Sequence, residues 1–182
     1  MYALDAAITG WINSLSGTGG FDQTMMMLSV YGVPLLVLAV AAQWWTGSPP
    51  AKTRHVLIAA GLSFLIGLAI NQVILLFVQR IRPYDAGITR ILIERSSDPS
   101  FPSDHATASF AIAAAFLFHN RARQGCLFLL SALLVSFSRV YLGTHYVSDI
   151  IGGALTATLA AALVKSLYKQ ETRVDRFLTN IL

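Results

Sequence analysis

A chain of 182 residues that is 55% hydrophobic and only 12% charged, with a mean hydropathy of +0.61, is more apolar than a water-soluble domain, where apolar residues run near ~45–50% and charged ones near ~25%. Its composition fits a bilayer. The net charge of +4 and the pI near 9.5 come from basic residues scattered through short loops, a pattern that argues against nucleic acid as a partner and for membrane orientation.

In chain order, the first 20 residues place Leu4, Ile8, Trp11, Ile12 and Leu15 on one helical face. The stretch is too short to span and, unlike a signal peptide, carries no Lys or Arg, so it reads as an amphipathic helix lying on the membrane surface. Five segments then approach the roughly 20 helical residues that a hydrocarbon core requires: 25–45, 56–78, 106–118, 126–141 and 147–168. The third and fourth are short apolar runs, each extended by a turn at its polar end. The predicted fold is therefore all-α, one integral membrane domain over 1–182, with about five transmembrane helices and an interfacial N-terminal helix. Cys126 lies inside an apolar run with no second cysteine to pair with, which suits a small lipid-facing or packed side chain. Asn71 and Gln72, inside the second span, are read as bonding neighbouring helices. Gly152, Gly153, Ala157 and Ala161 allow close helix approach in the last span, holding the Asp149 end rigid. The stretch between the second and third spans is long enough for a functional loop. Its centre, around Arg90, reads equally as a lipid gate on the outer surface or as a plain surface helix.

Basic residues near spans are retained in the cytoplasm. Lys52, Arg54, Arg121, Arg123, Lys165, Lys169, Arg173 and Arg176 fall on one side, against Arg80, Arg82, Arg90, Arg95 and Arg139 on the other. Five spans then put the N-terminus and every polar motif outside the cytoplasm.

Those motifs are "RP" at Arg82 and Pro83, "PSDH" at 102–105 and "SRVYLGTHYVSD" at 138–149. Ionisable side chains beside apolar runs are costly and mark chemistry. His145 and Asp149, four apart, share a helical face if the last span reaches back that far. A carboxylate on one ring nitrogen then fixes the tautomer and frees the other nitrogen as a nucleophile. Two guanidinium forks, Arg82 and Arg139, suit the oxygens of a phosphoryl group in flight. Ser103 or Asp104 is placed to cap the third span, whose first amides are free for an anion. His105, in that first turn, is placed to protonate a leaving oxygen and then activate water. His55 and His119 flank apolar runs on the opposite side and are assigned no role.

These residues resemble the type 2 phosphatidic acid phosphatases, membrane enzymes related to vanadium haloperoxidases. The signature of that family is Lys-x6-Arg-Pro, Pro-Ser-Gly-His and Ser-Arg-x5-His-x3-Asp. Ser138, Arg139, His145 and Asp149 match its third part with both spacings kept. The resemblance implies a phosphohistidine at His145, orientation by Asp149, acid and base work by His105, and phosphate binding by Arg82, Ser103 and Arg139, with no metal and no cofactor. Two positions depart from the pattern. The family lysine falls at Leu75, which makes Arg80 the candidate replacement in phosphate binding, and Asp104 stands where the family has glycine, placing a carboxylate beside the phosphate unless it turns away as a cap.

"PSDH" is similar to the motif of bacterial undecaprenyl-diphosphate phosphatases of this family. The first reading is therefore a lipid phosphatase acting on undecaprenyl diphosphate at the outer face of a bacterial cytoplasmic membrane, recycling the carrier lipid for cell-wall synthesis. Its partners are the lipid phosphate substrate and the surrounding lipids, with oligomeric state left open. The same chemistry on phosphatidylglycerophosphate, phosphatidate or a lipid A phosphate, or phosphoryl transfer to another lipid, is the second. A non-catalytic lipid transporter or scaffold is the third, disfavoured because no internal repeat is visible and the Arg, His and Asp set is intact.

Overall fold

The computed structural model describes residues 2–17, 19–46 and 49–180, and among these the chain is all-helical, with seven helices. They are α1 (Tyr2–Ser14), α2 (Gly20–Thr46), α3 (Pro50–Leu75), α4 (Asp104–Phe118), α5 (Ala122–Tyr141), α6 (Val147–Leu167) and α7 (Arg173–Thr179). By length and composition α2, α3, α5 and α6 are able to cross a membrane, while α4 is a shorter apolar helix. At a rise of 1.5 Å per residue its 15 residues cover about 22 Å, less than the ~30 Å of a hydrocarbon core.

The helix ends differ from the hydropathy limits because capping chemistry sets them. Pro50 opens α3 well before the apolar run, its fixed φ suiting the first helical turn. The same helix stops at Leu75, not at residue 78. Short α7 has no apolar run to betray it. It starts where the Thr172 hydroxyl accepts a hydrogen bond from the Asp175 N–H.

Helix α4 is central, packed against α3, α5 and α6. Its alanines 106, 108, 111, 113 and 115 are all buried, and such small side chains let the neighbouring backbones close in. At Gly153 of α6 even a methyl group has no room, since a Cβ there would lie 2.7 Å from the Ser103 carbonyl oxygen. Below the polar end, the Asn71 amide donates to Asp104 Oδ1 (2.7 Å) and Thr107 Oγ1 (2.8 Å), joining α3 to α4. Thr107 in turn reaches the Gly153 carbonyl oxygen on α6 (3.2 Å). At the opposite end Leu36, Val56, Leu57, Ile112, Phe116 and Phe128 form the apolar core. Leu38, Leu65, Leu130, Leu155 and Leu159 point outward, and Cys126 is exposed with them, the surface a lipid-facing bundle requires.

Helix α1 lies against α5 and α6 with its polar side inward. Leu4, Ile8 and Trp11 are exposed, Ile12 packs on a small core with Met25, Tyr141 and Leu142, and the opposite stripe of Asp5, Thr9 and Asn13 faces the protein. Asn13 clamps the backbone of Arg90, donating to its carbonyl oxygen (2.9 Å) and accepting from its N–H (2.8 Å). Leu92 and Ile93 pack on the same small core, and the centre of the long loop has no helix. Of its two sequence readings the surface helix is therefore excluded.

Candidate active site

One end of the bundle gathers the polar motifs. Gln72 and Leu75 come from the end of α3, Asp104 and His105 from the first turn of α4, and Arg139 from the end of α5. Arg82, Asp98 and His145 come from the loops before α4 and α6, and together these residues line a cavity of about 260 Å³. The tight turn that presents His145 depends on Gly143, whose φ of 80° suits glycine alone and whose Cβ would lie 2.6 Å from the Arg90 carbonyl oxygen.

His145 is buried, with its Nδ1 2.8 Å from the Ser100 carbonyl oxygen. A carbonyl only accepts, so Nδ1 carries the proton and the Nε2 lone pair is left free. Nε2 is 3.5 Å from Nη1 of Arg82, inside the cavity. Burial holds the His145 imidazole below its ordinary range, outweighing the Asp149 carboxylate that pulls the other way. The ring is therefore neutral near pH 7, the state a nucleophile needs. Asp149 is 3.5 Å from Nδ1, farther than the Ser100 carbonyl, so the backbone is the direct partner that sets the tautomer. The carboxylate instead accepts from the Ser100 hydroxyl (2.5 Å), the Tyr146 N–H (2.8 Å) and Arg80 Nη1 (2.6 Å).

Arg82 and Arg139 are 8% and 9% exposed, and among the described residues neither has a carboxylate partner. Arg82 is steered by carbonyl oxygens, donating from Nε to Asp98 (2.8 Å) and from Nη1 to Thr144 (3.1 Å). Arg139 Nη1 donates to the Ser29 hydroxyl, and its Nε is buried without a partner among the described residues. Ser103 is the N-cap residue of α4. It is fully buried, its hydroxyl has no partner among the described residues, and it makes no side-chain cap. Asp104 borders the cavity with its carboxylate held by Asn71.

Arg80 lies elsewhere. Its guanidinium reaches Asp5 (2.7 Å), Asp149 (2.6 Å) and the Ser148 hydroxyl (2.6 Å) and stacks over the Tyr146 ring at 3.8 Å, and it is absent from the cavity lining. Those partners raise its pKa despite partial burial. The sequence makes Arg80 the candidate for phosphate binding in place of the family lysine; in this structure its guanidinium pairs with the Asp149 and Asp5 carboxylates. Leu75, at the lysine position, does border the cavity, and Gln72 borders it one turn earlier. The sequence reads Gln72 as bonding a neighbouring helix, although its i−3 relation to Leu75 is a signal of a shared face. Ser100 acts partly through its backbone, which no sequence motif reveals.

An apolar bundle whose one end surrounds a phosphate-sized cavity with two histidines and two unpaired arginines defines an intramembrane phosphate-handling enzyme. The chain belongs to the PAP2 superfamily, whose profile matches residues 56–173, and it is a multi-pass membrane lipid phosphatase. Undecaprenyl-diphosphatase BcrC of Bacillus subtilis (strain 168) is 36% identical over 78% of this chain and 72% of its own length. Phosphatidylglycerophosphatase B of the same organism is 29% identical over 92% of this chain and 79% of its own. The crystal structure of a transmembrane PAP2-type phosphatidylglycerolphosphate phosphatase from Bacillus subtilis shares the fold with a TM-score of 0.70. It is 24% identical to this chain and covers 94% of it and 88% of its own chain.

Proposed function

We propose that this phosphatase removes the terminal phosphate of undecaprenyl diphosphate at the outer face of a bacterial cytoplasmic membrane, through a phosphohistidine at His145. The observation that carries the reading is the pair of buried guanidinium groups, Arg82 and Arg139, neither of which is in an ion pair among the described residues. Uncompensated buried charge is costly and persists where an anion completes the site. Nε2 of His145 attacks the terminal phosphorus. The bond from phosphorus to the bridging oxygen breaks, and His105 protonates that oxygen as the lipid monophosphate leaves. His105 then takes a proton from water, whose oxygen attacks the phosphohistidine and returns His145 and inorganic phosphate. Arg82, Arg139, Ser103 and the first amides of α4 hold the equatorial oxygens, so the residues themselves supply the charge that metal ions supply elsewhere.

The substrate reading rests on the similarity to undecaprenyl-diphosphatases. Beside the Asp149 end of α6, an apolar groove of about 550 Å³ lined by Leu4, Ile8, Val78, Phe101 and Ile151 offers room for a lipid tail. Phosphatidylglycerophosphate is the second reading, favoured by a relative aligned over 92% of this chain.

The test uses undecaprenyl diphosphate labelled in its terminal phosphate, with the purified protein in detergent. The wild type releases label, His145→Ala neither releases nor retains it, and His105→Ala, given a labelled phosphate ester with an activated leaving group that needs no acid, accumulates acid-labile label on the protein. Appreciable turnover by His145→Ala would remove it as nucleophile. Arg82→Ala and Arg139→Ala are each expected to lose on the order of 10²–10³ in kcat, as when a preorganised donor to a developing oxyanion is deleted. A higher kcat/KM for phosphatidylglycerophosphate than for undecaprenyl diphosphate would transfer the assignment to the second reading.

A further inference from the structure

Each helix that brings one end to the catalytic cavity brings its other end to a second one. The start of α3 supplies Lys52 and His55, the residue closing α4 is His119, Arg121 precedes α5, and Lys165 and Tyr168 close α6. With Lys169 they line a cavity of about 290 Å³ at the end of the bundle opposite the active site. Basic residues left in the cytoplasm to orient the spans need only be dispersed in water. These converge.

Four features give the cavity the character of an anion site. Lys52, Arg121, Lys165 and Lys169 border it, no Asp or Glu does, and none of the four cations is in an ion pair among the described residues. The nearby carboxylate, Asp175, is committed elsewhere, accepting from His55 Nδ1 (2.7 Å), the Tyr168 hydroxyl (2.6 Å) and the Glu171 N–H (2.7 Å). His55 is thereby fixed, stacked on Tyr168 with ring centres 4.6 Å apart and edge-on to His119 at 5.2 Å, which gives the cavity a rigid wall. His119 is held through Nδ1, 2.8 Å from the Ala115 carbonyl oxygen, and its Nε2 is buried with no partner among the described residues. A buried nitrogen without a partner is uncommon in a folded protein. Beside four uncompensated cations, an anionic oxygen supplies that partner.

We propose that this cavity is a second phosphate-binding site, on the membrane face opposite the catalytic one, taken by the headgroup of an anionic phospholipid or by inorganic phosphate. Exposed lysines reach a headgroup at the interface, and the cavity of about 290 Å³ has room for a phosphate group beside Arg121 and the two histidines. The site is independent of the catalytic reading, since none of its residues borders the active-site cavity.

The experiment measures thermal unfolding of the full chain in a neutral detergent, with phosphatidylglycerol, phosphatidylcholine or inorganic phosphate added. A ligand that binds the folded state alone raises Tm by mass action. Phosphatidylglycerol is expected to raise Tm by several degrees and phosphatidylcholine to leave it unchanged. The rise should survive in Arg139→Ala, whose catalytic anion site is damaged, and in Lys165→Arg/Lys169→Arg, and vanish in Lys165→Gln/Lys169→Gln. A matching rise with inorganic phosphate identifies the free anion as sufficient, and a rise with phosphatidylglycerol alone identifies the lipid headgroup. The proposal is overturned if neither additive raises Tm, if the rise persists in the glutamine variant, or if it disappears only in Arg139→Ala.

Discussion

His145 and Asp149 sit one helical turn apart, yet the direct partner of the ring is the Ser100 carbonyl oxygen. The backbone therefore keeps the proton on Nδ1 whether or not position 149 is charged. Asp149→Asn is accordingly expected to lose less in kcat than the ~10⁴ seen when the aspartate alone sets the tautomer in a serine-protease triad. A larger loss would return tautomer control to Asp149. Arg80→Ala should act through the same carboxylate, lowering kcat by on the order of 10–100-fold, the range met when an outer partner of a ligand histidine is removed. KM should stay nearly constant, because the guanidinium is engaged with the Asp149 and Asp5 carboxylates and Arg80 does not line the active-site cavity. A rise in KM with kcat intact would place Arg80 on the phosphate. Burial of His145 predicts a pH dependence as well. Its folded pKa lies below the ordinary ~6.5, so below that pH the unfolded chain binds a proton that the folded chain refuses. Stability is thus lost as pH falls from about 6.5, and the loss of Tm should be shallower in His145→Ala, where that proton is absent from both states. Parallel curves for the two proteins would show that His145 titrates normally.

Among the elements, α1 and α7 show how far sequence reasoning reaches. The apolar stripe of α1 was plain in its spacing, and so were its helical character and its lack of a span. Its orientation was hidden, because a polar face on an interfacial helix ordinarily meets water, and here Asp5, Thr9 and Asn13 meet the facing ends of α5 and α6. Hydropathy located the long helices and misjudged their ends, which Pro50 and the turn after Leu75 determine. It was blind to α7, held by Asp175 and by Arg54 reaching the Thr179 carbonyl oxygen (2.9 Å). The cavity residues carried by the motifs, Arg82, Asp104, His105, Arg139 and His145, were the most legible, whereas Ser100, Ser29 and Asp98 enter through backbone or through distant helices and leave no pattern. Asp5 accepts from Arg80 (2.7 Å) and from the Ser148 N–H (3.0 Å) and hydroxyl (2.5 Å), contacts that together depress its pKa against the upward push of burial. Asp5→Ala frees Arg80 on one side. It is expected to lower Tm and kcat together while leaving KM unchanged, with Asp5→Glu recovering part of both. Full activity in Asp5→Ala at an unchanged Tm would show that α1 is only an anchor.

At the scale of the whole molecule, the helix directions assign the two ends of the bundle opposite chemistry. The active-site end carries Arg80, Arg82, Arg90, Arg95 and Arg139, of which Arg82 and Arg139 border the cavity and Arg80 is bound to carboxylates. The other end carries Lys52, Arg54, Arg121, Arg123, Lys165, Lys169, Arg173 and Arg176, an excess that the positive-inside rule assigns to the cytoplasm. The proposed outward-facing active site rests on this excess. Because α4 carries the chain from one end of the bundle to the other between α3 and α5, the loop 76–103 and the turn 119–121 lie at opposite ends, and the proposed orientation puts them on opposite sides of the membrane. This is checked by placing single cysteines in a Cys126→Ser background, at the exposed Glu94 of the loop or the exposed Arg123 beside the turn. A membrane-impermeant maleimide applied to intact cells is expected to label Glu94→Cys at once and Arg123→Cys only after permeabilisation. The reverse order would place the catalytic cavity in the cytoplasm and exclude a substrate presented from outside.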